Sequence, residues 1–495
     1  MPAERNDNYD HVLKYTGIFG GVQGLVILIG LVRNKFMALL VGASGVGFNA
    51  MLMSVQNFAS QCTNLGISFG AVPRLSEYYE QNNMQSFDNE VLVIRLWSFI
   101  AGVLGCLFCM AISPLIDNLS FTWGNHTLHF AMLGFSVAMI SVAGGETAIL
   151  KAMRRLGSLA RIQIYTATAS VLLSAPLYFF FGQSGVLPAI VLTAGASFFA
   201  TIGYSYHQYP LRFQFSLFQL RQGAGMIRLG IAFVAAAAIG SGFEMMIRAF
   251  LNVEGSLEDV GFYNAGYMLT ITYAGMVFSS METDYFPRLS AVSKDVFLTN
   301  ETVNKQMEVS LLLLSPMLVV LMSTLPVLIP MLFSYEFLPV VAMAQVAVLA
   351  MYFKVITMPI AYITLARRYS LSYLFLESSY FLALILFIVI GFRLWGLWGT
   401  GLAILVAHVF ECVIVGAYAY FRYDYRATQT VFGYAAGQMS VGFSAYAVSM
   451  LTDGWLYWII EAALATASTA FSVNVLRHKT HLWQALKRRF LSSAN

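Results

Sequence analysis

The chain has 495 residues, 58% hydrophobic and 11% charged, with 28 basic and 24 acidic side chains and a formal charge of +4. Soluble domains carry roughly 25% charged residues, so this composition, with a mean hydropathy of +0.70, excludes a water-soluble globular enzyme. A basic excess this small gives no electrostatic footprint for nucleic acid.

Apolar runs of roughly 20 residues, the length a helix needs to cross about 30 Å of hydrocarbon, recur from end to end. They predict an all-α polytopic membrane protein with about fourteen helices, near 12–31, 46–69, 93–116, 128–150, 163–182, 185–206, 225–248, 262–283, 307–333, 339–363, 371–392, 396–420, 430–451 and 455–474. The runs are too long and too uniform for barrel strands, so helices are the remaining backbone solution in lipid.

At the N-terminus Glu4, Asp7 and Asp10 dilute the positive region expected of a cleavable leader, so the first helix is expected to stay. Arg33 and Lys35 interrupt an apolar stretch that resumes at Phe36, which lets the first helix continue past them. Gln23, Asn49, Gln56, Asn57, Gln61 and Asn64 in the first two spans are candidate hydrogen-bonding groups for a sugar. Asn264, Tyr267 and Tyr273 in the eighth add stacking surfaces. Polar residues also bridge helices in membranes, which is their plain alternative. Cys106 and Cys109 have a CxxC spacing, but without nearby His they read as packed thiols, and neither a metal nor a cofactor is expected.

Charges at membrane depth are costly and mark function. Lys354 lies well inside the tenth span, where a lone cation costs about 2.5 to 3.5 kcal/mol. Arg33, Lys35, Arg248 and Lys354 together can line a cationic cavity; the alternative for the first three is snorkelling to the outer interface. Among the acids, Glu146 precedes Lys151, Glu244 lies four residues before Arg248, and His408 lies three before Glu411, so each pair shares a helix face. Glu146, Glu244, His408 and Glu411 are therefore candidates for ion coupling, although Glu244 and Arg248 can simply neutralise each other. Glu377 and Glu461 join them, while Glu282 and Asp284 are expected at the cytoplasmic interface.

An internal repeat organises the chain. Val46-Gly47-Phe48 recurs as Val260-Gly261-Phe262, and Pro73-Arg74-Leu75-Ser76 as Pro287-Arg288-Leu289-Ser290, both at an offset of 214 residues; an offset one smaller pairs Arg154-Arg155 with Arg367-Arg368. Six helices separate the copies, an even number, so an axis along the membrane normal should relate them. The expected organisation is an N-terminal lobe over 1–222, a C-terminal lobe over 223–428, two further helices over 429–476 and a basic tail over 477–495, with the two lobes facing a central cavity. With fourteen crossings, all basic residues but Arg33, Lys35, Arg248, Lys354 and Arg393 fall on one side, so the positive-inside rule places both termini in the cytoplasm.

A roomy cationic cavity suits a diphosphate headgroup, because arginine forks replace the water it loses with bidentate contacts. No lysine follows a glycine anywhere, which rules out a Walker A loop and ATP as an intrinsic drive. The run Gly30-Leu31-Val32-Arg33-Asn34-Lys35, the turn Gly42-Ala43-Ser44-Gly45-Val46-Gly47, and Asn64-Leu65-Gly66-Ile67 leading to Pro73-Arg74-Leu75-Ser76-Glu77-Tyr78 resemble the N-terminal signature of Wzx-type polysaccharide flippases. That family belongs to the MOP superfamily with the lipid II flippases and the MATE drug exporters. The resemblance is closest over 12–80 and echoed over 225–290.

It implies a non-enzymatic transporter of the bacterial inner membrane that exports undecaprenyl-diphosphate-linked O-antigen-type oligosaccharides by alternating access. Polysaccharide polymerase and assembly proteins would be partners. In the lipid II flippases a Gly-x-x-Arg element places an essential arginine in the cavity, and its match here is Arg33. Two alternatives remain: a MATE-like cation-coupled multidrug exporter, whose cavity should be rich in carboxylates, and a membrane glycosyltransferase or polymerase, which should carry a sizeable extracytoplasmic loop.

Overall fold

In a computed structural model, the apolar runs are α-helices. It describes residues 3–121, 125–210, 217–280 and 285–479, with side chains from residue 21 onward except at 68, 69, 217–222, 224–233, 276, 277, 279 and 280. The helices are α1 (Ala3–Thr63), α2 (Ile67–Glu80), α3 (Met84–Ser120), α4 (Thr127–Ala152), α5 (Leu156–Phe181), α6 (Val186–Gln208), α7 (Leu217–Glu254), α8 (Leu257–Ser280), α9 (Phe286–Val292), α10 (Val296–Leu332), α11 (Val340–Ala366), α12 (Ser370–Tyr423), α13 (Gln429–Leu451) and α14 (Gly454–Lys479). The described residues include no strand.

Nine stretches of the described residues are long and apolar enough to cross a membrane. Several are longer than the expected spans because paired runs join: α1 carries the first two, and α12 carries the eleventh and twelfth. The joint in α1 is Gly42, at φ 71 and ψ −171, a left-handed backbone that a Cβ would strain. After it the Ala43 amide donates to Glu336 Oε2 at 3.1 Å, so a carboxylate caps the restarted helix and meets the positive end of its dipole. The first helix therefore carries Arg33 and Lys35 within it, as the resumed apolar pattern predicts. Glu282 and Asp284 lie outside the described residues.

Large apolar side chains stand exposed along these helices, among them Leu28, Phe99, Leu107, Phe180, Phe199, Leu371 and Phe421. So much exposed hydrocarbon is untenable in water and is matched by lipid. The protein is a multi-pass membrane protein.

The chain divides into two compact units, Met1–Gly261 with Met331–Glu336, and Phe262–Pro330 with Phe337–Asn495. In the first, α3 packs along α4, α5 packs against α6, and α1 lies against α5 and α7. Ile67, Leu75, Phe87, Ile94 and Ile149 form its core near the α2–α3 turn. Polar bolts cross that packing: Ser136 donates to Gln56 at 2.8 Å, and Arg95 reaches Glu146 through Nε at 2.8 Å and Nη2 at 3.2 Å. In the second, α11 packs along α12, and α13 packs against α14 and α11.

The repeat is visible in the backbone. A Cβ on Gly47 would lie 1.8 Å from the Leu257 carbonyl oxygen, and one on Gly261 would lie 2.2 Å from that of Ala43. Leu257 and Gly261 are the residues 214 positions beyond Ala43 and Gly47, so the contact within the first unit is reciprocal between the repeated motifs. The turns after α4 and α11 match too. Arg154 and Arg368 are both left-handed, at φ 53 and 63. Arg154 N bonds Lys151 O at 3.0 Å while Arg368 N bonds Leu365 O at 2.9 Å; Arg155 N bonds Leu150 O at 3.0 Å while Tyr369 N bonds Thr364 O at 2.8 Å. Backbone geometry thus pairs Arg154 with Arg368 at the full offset of 214, one residue away from the pairing that matching letters suggest.

Candidate functional site

Four helices of the first unit each present a polar stripe at helical spacing. On α1 it is Gln23, Gly30, Arg33 and Asn34; on α4 Thr147 and Lys151; on α5 Gln163, Thr166 and Ser170; on α6 Thr193, Ser197 and Thr201. Intervals of three, four and seven place these groups on one face of each helix. They converge on a cavity of about 830 Å³, within the size range of small-molecule sites.

Four polar atoms on its wall, Arg33 Nε, Gln163 Oε1, Thr166 Oγ1 and Thr193 Oγ1, are buried without a hydrogen-bond partner. Such atoms normally find partners, so a cluster of them on one cavity is unmet capacity for a polar guest. Two cations, Arg33 and Lys151, line it, and no carboxylate is among its described lining residues. Chemically the cavity offers a guanidinium fork, an ammonium, and hydroxyl and amide groups that can both donate and accept. That set fits an anion joined to a polyhydroxylated group.

Of the sequence-predicted residues, Arg33 and Gln23 line this cavity, whereas Lys35 stands half-buried on α1 and is not among its lining residues. Arg248 Nη1 is held on α7 by Glu244, at 3.1 Å from its backbone oxygen and 3.2 Å from Oε2. Glu146 is fully engaged: besides Arg95 it accepts from Ser205 Oγ at 2.6 Å. Asn49 is half-buried with Oδ1 unpartnered, Gln56 serves the Ser136 bridge, and Asn57 is exposed. Asn64 Nδ2 donates to Gln61 Oε1 at 3.2 Å and its Oδ1 accepts from the Gly66 amide at 2.7 Å, shaping the turn into α2.

In the second unit, Lys354 belongs to a buried cluster built by α11 and α12. His408, with no exposed side chain, bonds Glu411 Oε2 through Nδ1 at 2.7 Å and the Tyr380 hydroxyl through Nε2 at 3.2 Å. With the carboxylate accepting from Nδ1–H, Nε2 accepts from tyrosine. Lys354 Nζ sits 5.9 Å from the centroid of the Tyr380 ring. Glu377 bonds Tyr373 and lies within electrostatic reach of Lys354 and Glu411. Tyr267 stacks on Tyr263, and both lie near Tyr380; Asn264 precedes them on α8, and Tyr273 is half-buried farther along it.

Lys151, Thr147, Gln163, Thr166, Ser170, Thr193, Ser197 and Thr201 are polar cavity residues that the sequence analysis did not single out for the site. The signal was present as the polar spacing on α5 and α6, but Lys151 reads as part of a basic loop.

Comparison with known proteins agrees with this architecture. The model of a family described as polysaccharide biosynthesis protein, Polysacc_synt_3, matches residues 36–342. No curated protein matches the chain in sequence. Among solved structures, the lipid II flippase MurJ in an inward closed conformation aligns with a TM-score of 0.64 at 15% identity, covering 93% of this chain and 99% of that one. An inward-facing multidrug resistance MATE transporter of the MOP superfamily aligns at 0.63 and 13% identity, covering 81% and 94%. A MOP superfamily transporter from Pyrococcus furiosus, described as having a binding pocket of reverse polarity, aligns at 0.54 and 13% identity, covering 82% and 93%. The chain belongs to the polysaccharide biosynthesis protein family and has the fold of the MOP superfamily of flippases and transporters.

Proposed function

We propose that the protein is a flippase that moves an undecaprenyl-diphosphate-linked oligosaccharide across the bacterial inner membrane by alternating access, for surface polysaccharide assembly. The observation that carries this reading is the unpartnered Arg33 Nε in a cavity of about 830 Å³ lined by two cations and no carboxylate among the described residues. In this reading Arg33, helped by Lys151, takes the diphosphate with charge-assisted hydrogen bonds. Gln23, Gln163, Thr166 and Thr193 take sugar hydroxyls, and the polyprenyl chain stays in lipid. A cavity for cationic drugs would need the opposite charge.

The drive assigned here is a proton bound by the second unit. Lys354, Glu377 and Glu411 share this cluster with His408, and a proton taken up by the hydrogen-bonded Glu411–His408 pair changes its charge at membrane depth. Both termini are placed in the cytoplasm by the positive-inside rule, and a polysaccharide polymerase with its assembly proteins would consume the product.

Complementation of a flippase-deficient strain tests the reading. Arg33→Ala should abolish surface glycan while membrane expression persists, and Arg33→Lys should restore part of it. Unchanged glycan with Arg33→Ala overturns the anion site. Resistance to cationic drugs on overexpression would instead support an exporter.

A further inference from the structure

The matching turns of the two units end on opposite electrostatics. In the first, the Arg154 guanidinium is ion-paired with Glu80, so that arginine is neutralised within the protein. Its backbone counterpart is Arg368. Counted at the same offset from the shared Pro-Arg-Leu-Ser motif, the position of Glu80 is taken by Lys294, and α9 ends at Val292, two residues earlier than α2 ends in the first copy. An acid has been exchanged for a base.

The result is an open cationic cavity of about 840 Å³ lined by Lys294, Arg367 and Arg368, with the Ser290 and Ser293 residues beside them. No carboxylate is among its described lining residues. Asp295, the residue after Lys294 in sequence, accepts the Leu298 amide at 3.0 Å at the start of α10. The Arg367 guanidinium carbon sits 4.9 Å from the centroid of the Tyr423 ring, and its buried Nε and Nη2 have no hydrogen-bond partner. Three cations gathered with no carboxylate among the described lining residues repel one another unless an anion joins them.

We propose that this cavity binds the phosphate of an anionic lipid headgroup. The cations and the Ser290 hydroxyl supply phosphate contacts, whereas Ser293 Oγ donates to the Ser290 carbonyl at 2.9 Å. Phe286, Leu365 and Ala366 give the cavity an apolar wall for the glycerol and upper acyl carbons. The site lies at the ends of α9 and α11, where a spanning helix leaves hydrocarbon and lipid phosphates reside. It is separate from the Arg33 cavity and stands whether or not that cavity carries a glycolipid.

The test is thermal unfolding of the full-length protein in neutral detergent, titrated with phosphatidylglycerol, phosphatidylcholine or inorganic diphosphate. Phosphatidylglycerol should stabilise the wild type and phosphatidylcholine should not. Lys294→Glu restores the charge pair of the first unit, so it should fold at least as well as wild type yet bind phosphatidylglycerol about ten-fold more weakly. Arg368→Gln should show the same loss, while Arg161→Gln, on an exposed face of α5, keeps the wild-type response. An unaltered response in both Lys294→Glu and Arg368→Gln overturns the site. Equal loss in Arg161→Gln reduces it to general charge attraction and also overturns it. Stabilisation by inorganic diphosphate but not by phosphatidylglycerol, lost in Lys294→Glu and Arg368→Gln, overturns the lipid as its source.

Discussion

Replacing Glu146 by Met strands a buried guanidinium. Arg95 and Glu146 are 8% and 2% exposed and joined at 2.8 and 3.2 Å, and Ser205 adds a third contact at 2.6 Å. Removing one partner of such a pair costs about 3 to 5 kcal/mol, because the remaining charge keeps its desolvation penalty. Arg95 retains the Tyr209 carbonyl at 2.9 Å, the Pro210 carbonyl at 3.2 Å and the Tyr206 ring at 4.6 Å. The loss should therefore fall near the lower end, about 3 kcal/mol. The assay is a double-mutant cycle on unfolding in detergent with Glu146→Met, Arg95→Met and both together. The double variant should recover most of the loss, with a coupling energy of about 2 kcal/mol or more. If Glu146→Met unfolds like wild type and instead flattens the pH dependence of transport, Glu146 is an ion-coupling group and the bolt assigned here is refuted.

Further perturbations address separate features. Gly47→Ala places a methyl group 1.8 Å from the Leu257 oxygen and should lower stability by about 3 kcal/mol, the upper end of overpacking costs; Gly261→Ala should match it in the same unfolding assay, whereas Gly21→Ala, with open space at its Cβ, should not. Glu336→Ala removes the cap on the Ala43 amide and should cost about 0.5 to 2 kcal/mol, read as a lower unfolding midpoint. Glu411→Gln keeps the shape of the His408 contact but removes its charge, so proton uptake accompanying transport in reconstituted vesicles should vanish; uptake at the wild-type level counts against the proton cluster.

The fold class was legible because lipid leaves the backbone few choices: long uncharged runs must be helices, and their spacing and the repeated glycine and proline motifs expose the duplication. Arg33 was legible for the same reason, since a cation within an apolar run stands out. Its surroundings were not. Thr166 and Thr193 are unremarkable in a list of residues and become a site only when α5 and α6 bring their stripes to one cavity. The partner of Glu146 was hidden because Arg95 lies on another helix, whereas the nearby Lys151 shares its own. His408 and Glu411, one turn apart, could be paired directly; Lys354 joins them only through the packing of α11 on α12.

The reciprocal meeting of Gly47 and Gly261 also bears on ancestry. A patch that touches its own duplicate is the mating surface of a homodimer. A half-length ancestor carrying one such glycine would have associated with itself through that spot, so joining two genes end to end demanded no invention of a new junction there. After fusion the constraint became double: a side chain gained in either descendant collides with the main chain of the other, and neither glycine is free to diverge alone.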